Sequence, residues 1–341
     1  MKKIVFDVPA EKGGALTILQ QFYDKAVGDV ENLWIFVVSL PEFKSKDNIR
    51  VLRYPWVKKS WLHRLFFDYF FAKRIVKKLK PDEIISLQNV VVSGVAVRQT
   101  IYLHQPLPFC DVRFKILDEP ILWLYQNPIS WMIIRSLKKA SSVIVQTEWM
   151  RQACESKTGI SRDFISVVQP EIKLSPENYF VPKGEPCFFY PAGDAFYKNH
   201  RIILDALKKI KNNNQKLNIN VTFTLVGDET KKIRELKKSV MREKLPISFV
   251  GHLTSNEVFE YYANSILLFP SYVETYGLPL KEAMIANCPI IASDCSFSHE
   301  ILKEYRLVEY FNPFSVDELV ECINRFSRYW NDIIENKIEL K

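Results

Sequence analysis

A chain of 341 residues with 47 Lys+Arg against 39 Asp+Glu, 48% hydrophobic and 25% charged, has the composition of a folded globular protein and the length of two domains. No apolar run reaches the roughly 18 residues of a membrane span. The six cysteines include no CxxC and no clustered histidine, which argues against a zinc site or a disulfide framework and for a cytoplasmic chain. The charge is uneven: residues 1–172 hold 25 Lys+Arg and 17 Asp+Glu, a net of +8, while the remainder balances at 22 each. Such asymmetry suggests that the halves meet different partners.

KIVFDV (3–8) reads as a first strand rather than a signal peptide, because Asp7 cuts the apolar stretch after IVF. Gly13 and Gly14 follow it and open a helical segment, ALTILQQFYDKA. A glycine pair there suits the approach of an anion to backbone N–H groups, or equally a plain tight turn. LWIFVVS (33–39), EIISLQ (83–88), TIYLHQ (100–105) and SVIVQT (142–147) are further strand candidates, and 118–139 reads as helix. Apolar runs without strict alternation suit a parallel sheet buried on both faces. KLSPENYFVPKGEP (173–186), with three prolines and a glycine, is a linker candidate.

The alternation then restarts with CFFYPAG (187–193), INVTFTLVG (219–227), ISFVG (247–251), SILLFP (265–270), PIIASD (289–294) and LVEYFN (307–312). Thr254–Glu257 and Ser315–Glu318 have capping-box spacing. The reading is α/β, with two Rossmann-like domains facing a central cleft.

In SYVETYGLPLKEAMIANC (271–288), Glu274 and Glu282 flank a Gly-Leu-Pro turn. Gly277 and Pro279 argue against one continuous helix, so Glu274 hangs from a loop and Glu282 sits one turn into a helix with Pro279 at its first position. Tyr276, Gly277 and Leu278 lie at that helix start, where backbone N–H groups can cradle an anion. Lys198, in YPAGDAFYKNH after Gly193, stands before another helix and could meet a phosphate as a point charge, or be a solvated surface side chain. Two cradles and two carboxylates together suit a nucleotide diphosphate carrying a sugar.

FPSYVETYGLPLKEAMIANCPIIASD (269–294) resembles the E-x7-E signature of retaining glycosyltransferases of family 4, which have the GT-B fold. YPAGDAFYKNH (190–200), LVGD (225–228) and FVGHLTSNEVFEYY (249–262) are similar to the family's lysine-bearing loop and the segments after it. YFNPFSVDELVECI (310–323) resembles its closing segment. The likeness over 1–172 is looser, resting on the glycine pair, the sheet pattern and IYLHQPLPF (101–109).

The resemblance implies domains at 1–172 (acceptor), 187–312 (donor) and a closing helix in 313–341 that crosses back to the first domain. It also implies that Glu274 contacts the transferred sugar and Glu282 the ribose. Lys198 with the Gly277 and Leu278 amides would hold the diphosphate of a UDP- or GDP-sugar, and His104 would lie near the sugar. The donor is a substrate, no cofactor is implied, and the chain contains no DxD, so a metal-independent, retaining reaction is expected. One departure is Asp194, where many members carry an arginine; Lys198 and helix dipoles alone, or Arg201, would then meet the phosphates.

YPWVKKSWLHRLFFDYFFAKRIVKKLK (54–80) mixes aromatics with cations. Leu62, Leu65, Phe66, Tyr69, Ala72, Val76 and Leu79 have helical spacing and read as a face packed on the sheet. Alternatively, Trp56, Lys58, Lys59 and Trp61 rest on an anionic membrane surface, on the inner face of the cell membrane, with a polyprenyl-linked glycan as acceptor. A nucleic-acid partner is not expected, since no binding motif accompanies the charge. The expected function is sugar transfer to a glycan or lipid-linked oligosaccharide in surface polysaccharide synthesis. The rival is a non-catalytic GT-B-like nucleotide- or glycan-binding protein. A nicotinamide enzyme is a distant third, lacking GxGxxG.

Overall fold

The computed structural model describes residues 1–11, 13–172, 180–181, 183–213 and 219–334. The expected linker at 173–186 lies largely outside the described residues. The chain divides into two compact units, Met1–Glu171 and Ile172–Lys341.

The first unit is built on seven parallel strands: β1 (Lys2–Asp7), β2 (Leu33–Val38), β3 (Ile49–Arg53), β4 (Glu83–Ser86), β5 (Arg98–Tyr102), β6 (Ser142–Val145) and β7 (Ile165–Val167). Their spatial order is β3-β2-β1-β4-β5-β6-β7. The apolar runs are explained by burial on both faces. Val5, Phe36 and Val38 pack on one side with Ile18, Leu19 and Tyr23 of α1 (Gly13–Gly28). Their neighbours Ile4, Phe6, Ile35 and Val37 face the other way, against Phe67, Ile75 and Val76. Each such side chain contributes about 1.5–3 kcal/mol when fully buried.

The segment 61–79 is one helical run of three parts: α2 (Trp61–Phe66), a π turn (Phe67–Phe71) and α3 (Ala72–Leu79). The π turn overturns the first half of the packed face expected from spacing, whereas Ala72, Val76 and Leu79 pack inward as expected. It shifts the helical register, so that Leu62, Leu65, Phe66 and Tyr69 are exposed while Phe67, Ala72, Ile75 and Val76 are buried. The helical interval 118–139 is two helices, α4 (Pro120–Gln126) and α5 (Pro128–Leu137), broken where Asn127 precedes Pro128. α6 (Glu148–Thr158) follows β6 and ends at Gly159, whose φ of +71° suits glycine.

The second unit has six parallel strands: β8 (Cys187–Tyr190), β9 (Asn220–Phe223), β10 (Ile247–Phe249), β11 (Ile266–Phe269), β12 (Ile290–Ser293) and β13 (Val308–Phe311), in the order β10-β9-β8-β11-β12-β13. Its helices are α7 (His200–Asn212), α8 (Lys231–Arg242), α9 (Ser255–Ala263), α10 (Leu278–Ile285), α11 (Ser296–Ile301) and α12 (Val316–Ile334). α12 packs along α7, and Trp330 Nε1 donates to the Gly184 carbonyl (3.0 Å).

The Thr254–Glu257 capping box forms at the start of α9. The second is half made: Ser315 Oγ accepts from Glu318 N–H (3.3 Å), but the Glu318 carboxylate turns to Asn312 N–H (2.7 Å) instead. No described helix is long and apolar enough to cross a membrane.

Candidate active site

In an open parallel sheet, ligands gather where the strand order reverses. In the second sheet that point lies between β8 and β11, the two strands whose following loops carry Lys198 and Glu274. The Lys198 ammonium and the Glu274 carboxylate form an ion pair, both side chains partly buried. Ser271 Oγ donates to the same Glu274 oxygen, Oε1 (2.7 Å), fixing the carboxylate from the other side. The Ser271 carbonyl in turn accepts from Ser293 Oγ at the end of β12.

The KNH triplet explains how the lysine is held. Asn199 adopts φ +60°, and its side-chain amide donates to the Pro313 carbonyl (2.7 Å) and weakly to that of Pro270 (3.4 Å). That amide ties the β8 loop to the segments following β11 and β13. The Tyr272 N–H to Tyr197 carbonyl bond (3.2 Å) adds a main-chain link, and the buried Tyr190 hydroxyl donates to the Lys198 carbonyl (2.7 Å). His200 is buried against the rings of Tyr190 and Phe223. Burial, with the charge of Lys198 second, lowers its pKa to about 3, so the ring is neutral packing.

At α10, Gly277 is the N-cap with φ +85°, a conformation that favours glycine. Leu278 is the first helical residue and Pro279 the second, one position later than its sequence reading. The first amides of a helix have no intrahelical acceptor, and the dipole there favours an anion. Tyr276 is 2% exposed, its ring closed off in the core. Glu282, on the same helix, accepts a hydrogen bond from the buried Tyr262 hydroxyl (3.0 Å). Burial pushes the Glu282 carboxyl upward and the Tyr262 bond opposes it.

Gly193 is exposed, with open space where a side chain would stand. Arg201, a stand-in candidate for the cation that Asp194 displaces, grips Asp205 on its own helix with both carboxylate oxygens at 3.0 Å. The Lys232 ammonium lies over the Phe196 ring in that loop, 4.5 Å from its centroid. A groove of about 580 Å³ beside β13 and α12, lined by Glu309, Arg325 and Tyr329, contains none of these residues.

The first sheet reverses its order between β1 and β4. Gly13 begins α1 with φ +64°, and both Gly13 and Gly14 are exposed. Asp7 ends β1 at 1% exposure; its Oδ1 accepts from Ala10 N–H (3.2 Å) and its Oδ2 is buried without a partner. Burial raises its pKa to about 8, against the Ala10 bond and the charges of Arg64 and Lys58.

His104 lies two residues beyond β5, its main-chain N–H bonded to Asn89 Oδ1 (2.8 Å). Its ring Nε2 is buried and unpartnered, and burial outweighs a bond to Leu87 to lower its pKa to about 4. Gln88 Oε1 is a further buried polar atom without a partner at this edge.

The four residues expected on a membrane face separate. Trp61 and Lys59 are exposed. Trp56 is turned inward among Phe66, Phe67 and Phe71, with ring centroids 5.5–6.2 Å away. Lys58 donates to the Pro9 carbonyl (2.7 Å) and pairs with Glu11. Asn199, Ser271, Tyr262 and Asp7 were missed in the sequence. The only signal for Asn199 was its place beside Lys198, and the others had none.

Two parallel-sheet Rossmann-like units, the second with a cation and carboxylates at its switch point, make up the fold of the GT-B glycosyltransferases. Solved structures agree on that fold. The glycosyltransferase WaaG, involved in lipopolysaccharide biosynthesis, superposes with a TM-score of 0.72 at 14% identity over 96% of this chain and 90% of that one. Anabaena Alr3699/HepE in complex with UDP and glucose gives 0.67 at 16% identity over 95% and 89%.

Residues 171–337 match the family model of glycosyl transferases group 1. The O-antigen chain mannosyltransferase RfbU of Salmonella typhimurium is 23% identical over 324 residues, 88% of this chain and 81% of that protein.

Proposed function

We propose that this protein is a retaining family 4 glycosyltransferase that moves a sugar from a UDP- or GDP-sugar to a hydroxyl of a growing surface polysaccharide. The observation that carries the reading is the Lys198–Glu274 ion pair at the β8/β11 switch point, backed by an N-terminal anion cradle on α10. In this reading the arriving diphosphate takes Lys198 from Glu274. Lys198 and the Gly277 and Leu278 amides then stabilise the charge on the departing diphosphate, an electrostatic role that needs no proton transfer. The released Glu274 carboxylate, still oriented by Ser271, stabilises positive charge developing at the sugar carbon. Glu282, held by Tyr262 through Oε2, accepts from a ribose hydroxyl.

The unpartnered Nε2 of His104, neutral at pH 7, accepts from a sugar hydroxyl, and Gln88 and Asp7 supply further polar atoms for a polyol. That HepE is solved with UDP and glucose supports a nucleotide-sugar donor, and the likeness to RfbU supports O-antigen-type glycan as the product class.

A thermal-shift panel of UDP, GDP, ADP and NAD on wild type and Glu282→Ala tests the reading. Ligands that bind the folded state raise its melting temperature by mass action. UDP or GDP should stabilise the wild type, and the variant should lose that response. Stabilisation by NAD alone, or by no nucleotide, would sink the donor site.

A further inference from the structure

The first unit carries an apolar surface that the sugar-transfer site does not use. Along α2 and the π turn the side chains of Trp61, Leu62, Leu65, Phe66, Tyr69 and Phe70 are all exposed, Leu62 by 77% and Phe70 by 61%. The opposite side of the same run is filled, with Phe67 and Ala72 fully buried. The exposed row is therefore the outward face of a well-packed helix and not a loose one.

The surface extends beyond this helix. The rings of Trp61 and Tyr125 meet edge to face at 6.4 Å, which sets α4 beside α2. Ile121 lies one turn before Tyr125 (i, i+4) and Leu124 neighbours Ile121 on the next turn (i, i+3), and both are exposed. Leu117, on the turn before α4, is 93% exposed, and Ile116 beside it is also open. Isolated exposed apolar residues are ordinary, whereas a contiguous row across two helices marks an interaction surface.

Along the α2–α3 run the charge has one prevailing sign. Residues 58–80 hold eight Lys and Arg and a single acid, Asp68, which is bonded to Arg64 (2.6 Å). The rings of Phe66 and Phe70 stack at 5.7 Å along the exposed row, and beyond the π turn Arg74 and Lys78, one turn apart in α3, are exposed. The segment before α4 is mixed, with Arg113 and Lys115 among Asp111, Asp118 and Glu119.

We propose that this α2–α4 surface docks the protein on an anionic lipid bilayer. Trp61, Leu62, Phe70 and Leu117 enter the headgroup region, and Lys59, Arg74 and Lys78 meet lipid phosphates. Apolar insertion and attraction of clustered cations to an anionic leaflet act together in such binding. The charge pattern selects lipid over a second copy of this chain: two such faces would bring like charges together, and the net +8 is confined to this unit. The contact is peripheral, since no described helix is long and apolar enough to cross a membrane. It shares no residue with the nucleotide site, so failure of either reading leaves the other in place.

The test is co-sedimentation of the full chain with vesicles of phosphatidylcholine alone or mixed with phosphatidylglycerol. Wild type and the double variant Leu62→Asp/Leu117→Asp are compared. Both positions are exposed, so unchanged melting temperatures verify that the variant is folded. The wild type should bind the anionic vesicles at least about tenfold more tightly than neutral ones, and less tightly as salt shortens the Debye length. The variant should lose most of that binding. Absence of binding to either vesicle overturns the proposal, as does equal binding to both. A wild-type dimer in sedimentation velocity that the variant dissolves would assign the surface to self-association instead.

Discussion

Asn199 is the residue on which the position of Lys198 depends, and two substitutions separate its contributions. Asn199→Gly keeps the left-handed backbone free but removes the amide that reaches the Pro313 and Pro270 carbonyls. The bond to Pro313, at 2.7 Å, is well formed and that to Pro270, at 3.4 Å, is marginal, so the loss is about 1–2 kcal/mol. Asn199→Ala loses the same bonds and adds roughly 1–2 kcal/mol for placing a β-carbon at φ +60°. A unit of this size melts about 2–4 °C lower per kcal/mol. Urea unfolding should therefore rank wild type above Asn199→Gly above Asn199→Ala, with comparable steps. Stabilisation by the cognate nucleoside diphosphate should weaken in both variants, because the lysine next in sequence loses its anchor. If Asn199→Gly is as stable as the wild type, the amide holds nothing. If Asn199→Ala is no worse than Asn199→Gly, the left-handed conformation is not enforced.

Gly277→Ala places a β-carbon at φ +85° and 3.2 Å from Leu280 Cδ1, and should cost roughly 1–3 kcal/mol in urea unfolding while blunting the nucleotide response. Asp7, with its pKa raised from 3.8 to about 8 in the folded protein, holds a proton that the unfolded chain gives up. Stability should therefore fall as pH rises from about 4 to 8. Asp7→Asn should flatten that slope in urea midpoints taken across the range, and an unchanged slope would refute the assignment. His200 behaves oppositely: its folded pKa of about 3 leaves its contribution intact above 6.5 and lost as pH falls toward 3. His200→Phe should flatten the acid limb of the second unit's melting profile, read by calorimetry.

The inner strands of the second sheet, β8, β9, β11 and β12, were legible as apolar runs because strands buried on both faces admit little else; its edge strands β10 and β13 were also legible, although part of each faces water. In the first sheet, β3 and β7 were missed. Both are edge strands, paired on one side only, and IRVLR and ISV mix polar with apolar residues because part of each faces water. Glu274, Glu282 and Lys198 could be picked out because their motif spacing is local. What brings Lys198 to Glu274 is not local: the two are 76 residues apart, and the Asn199 amide that ties their loops together reaches a carbonyl 114 residues away.

The 61–79 segment shows the same division. Its aromatics and cations are plain in the sequence, but which face they occupy depended on a π turn that helical spacing does not register. By itself the sequence determined the two parallel-sheet units and the residue types at the switch point, since burial and turn chemistry act over a few neighbours. Only the tertiary structure decided which polar atoms are left unpartnered at strand ends and which apolar side chains face out, because those depend on contacts between segments far apart in the chain.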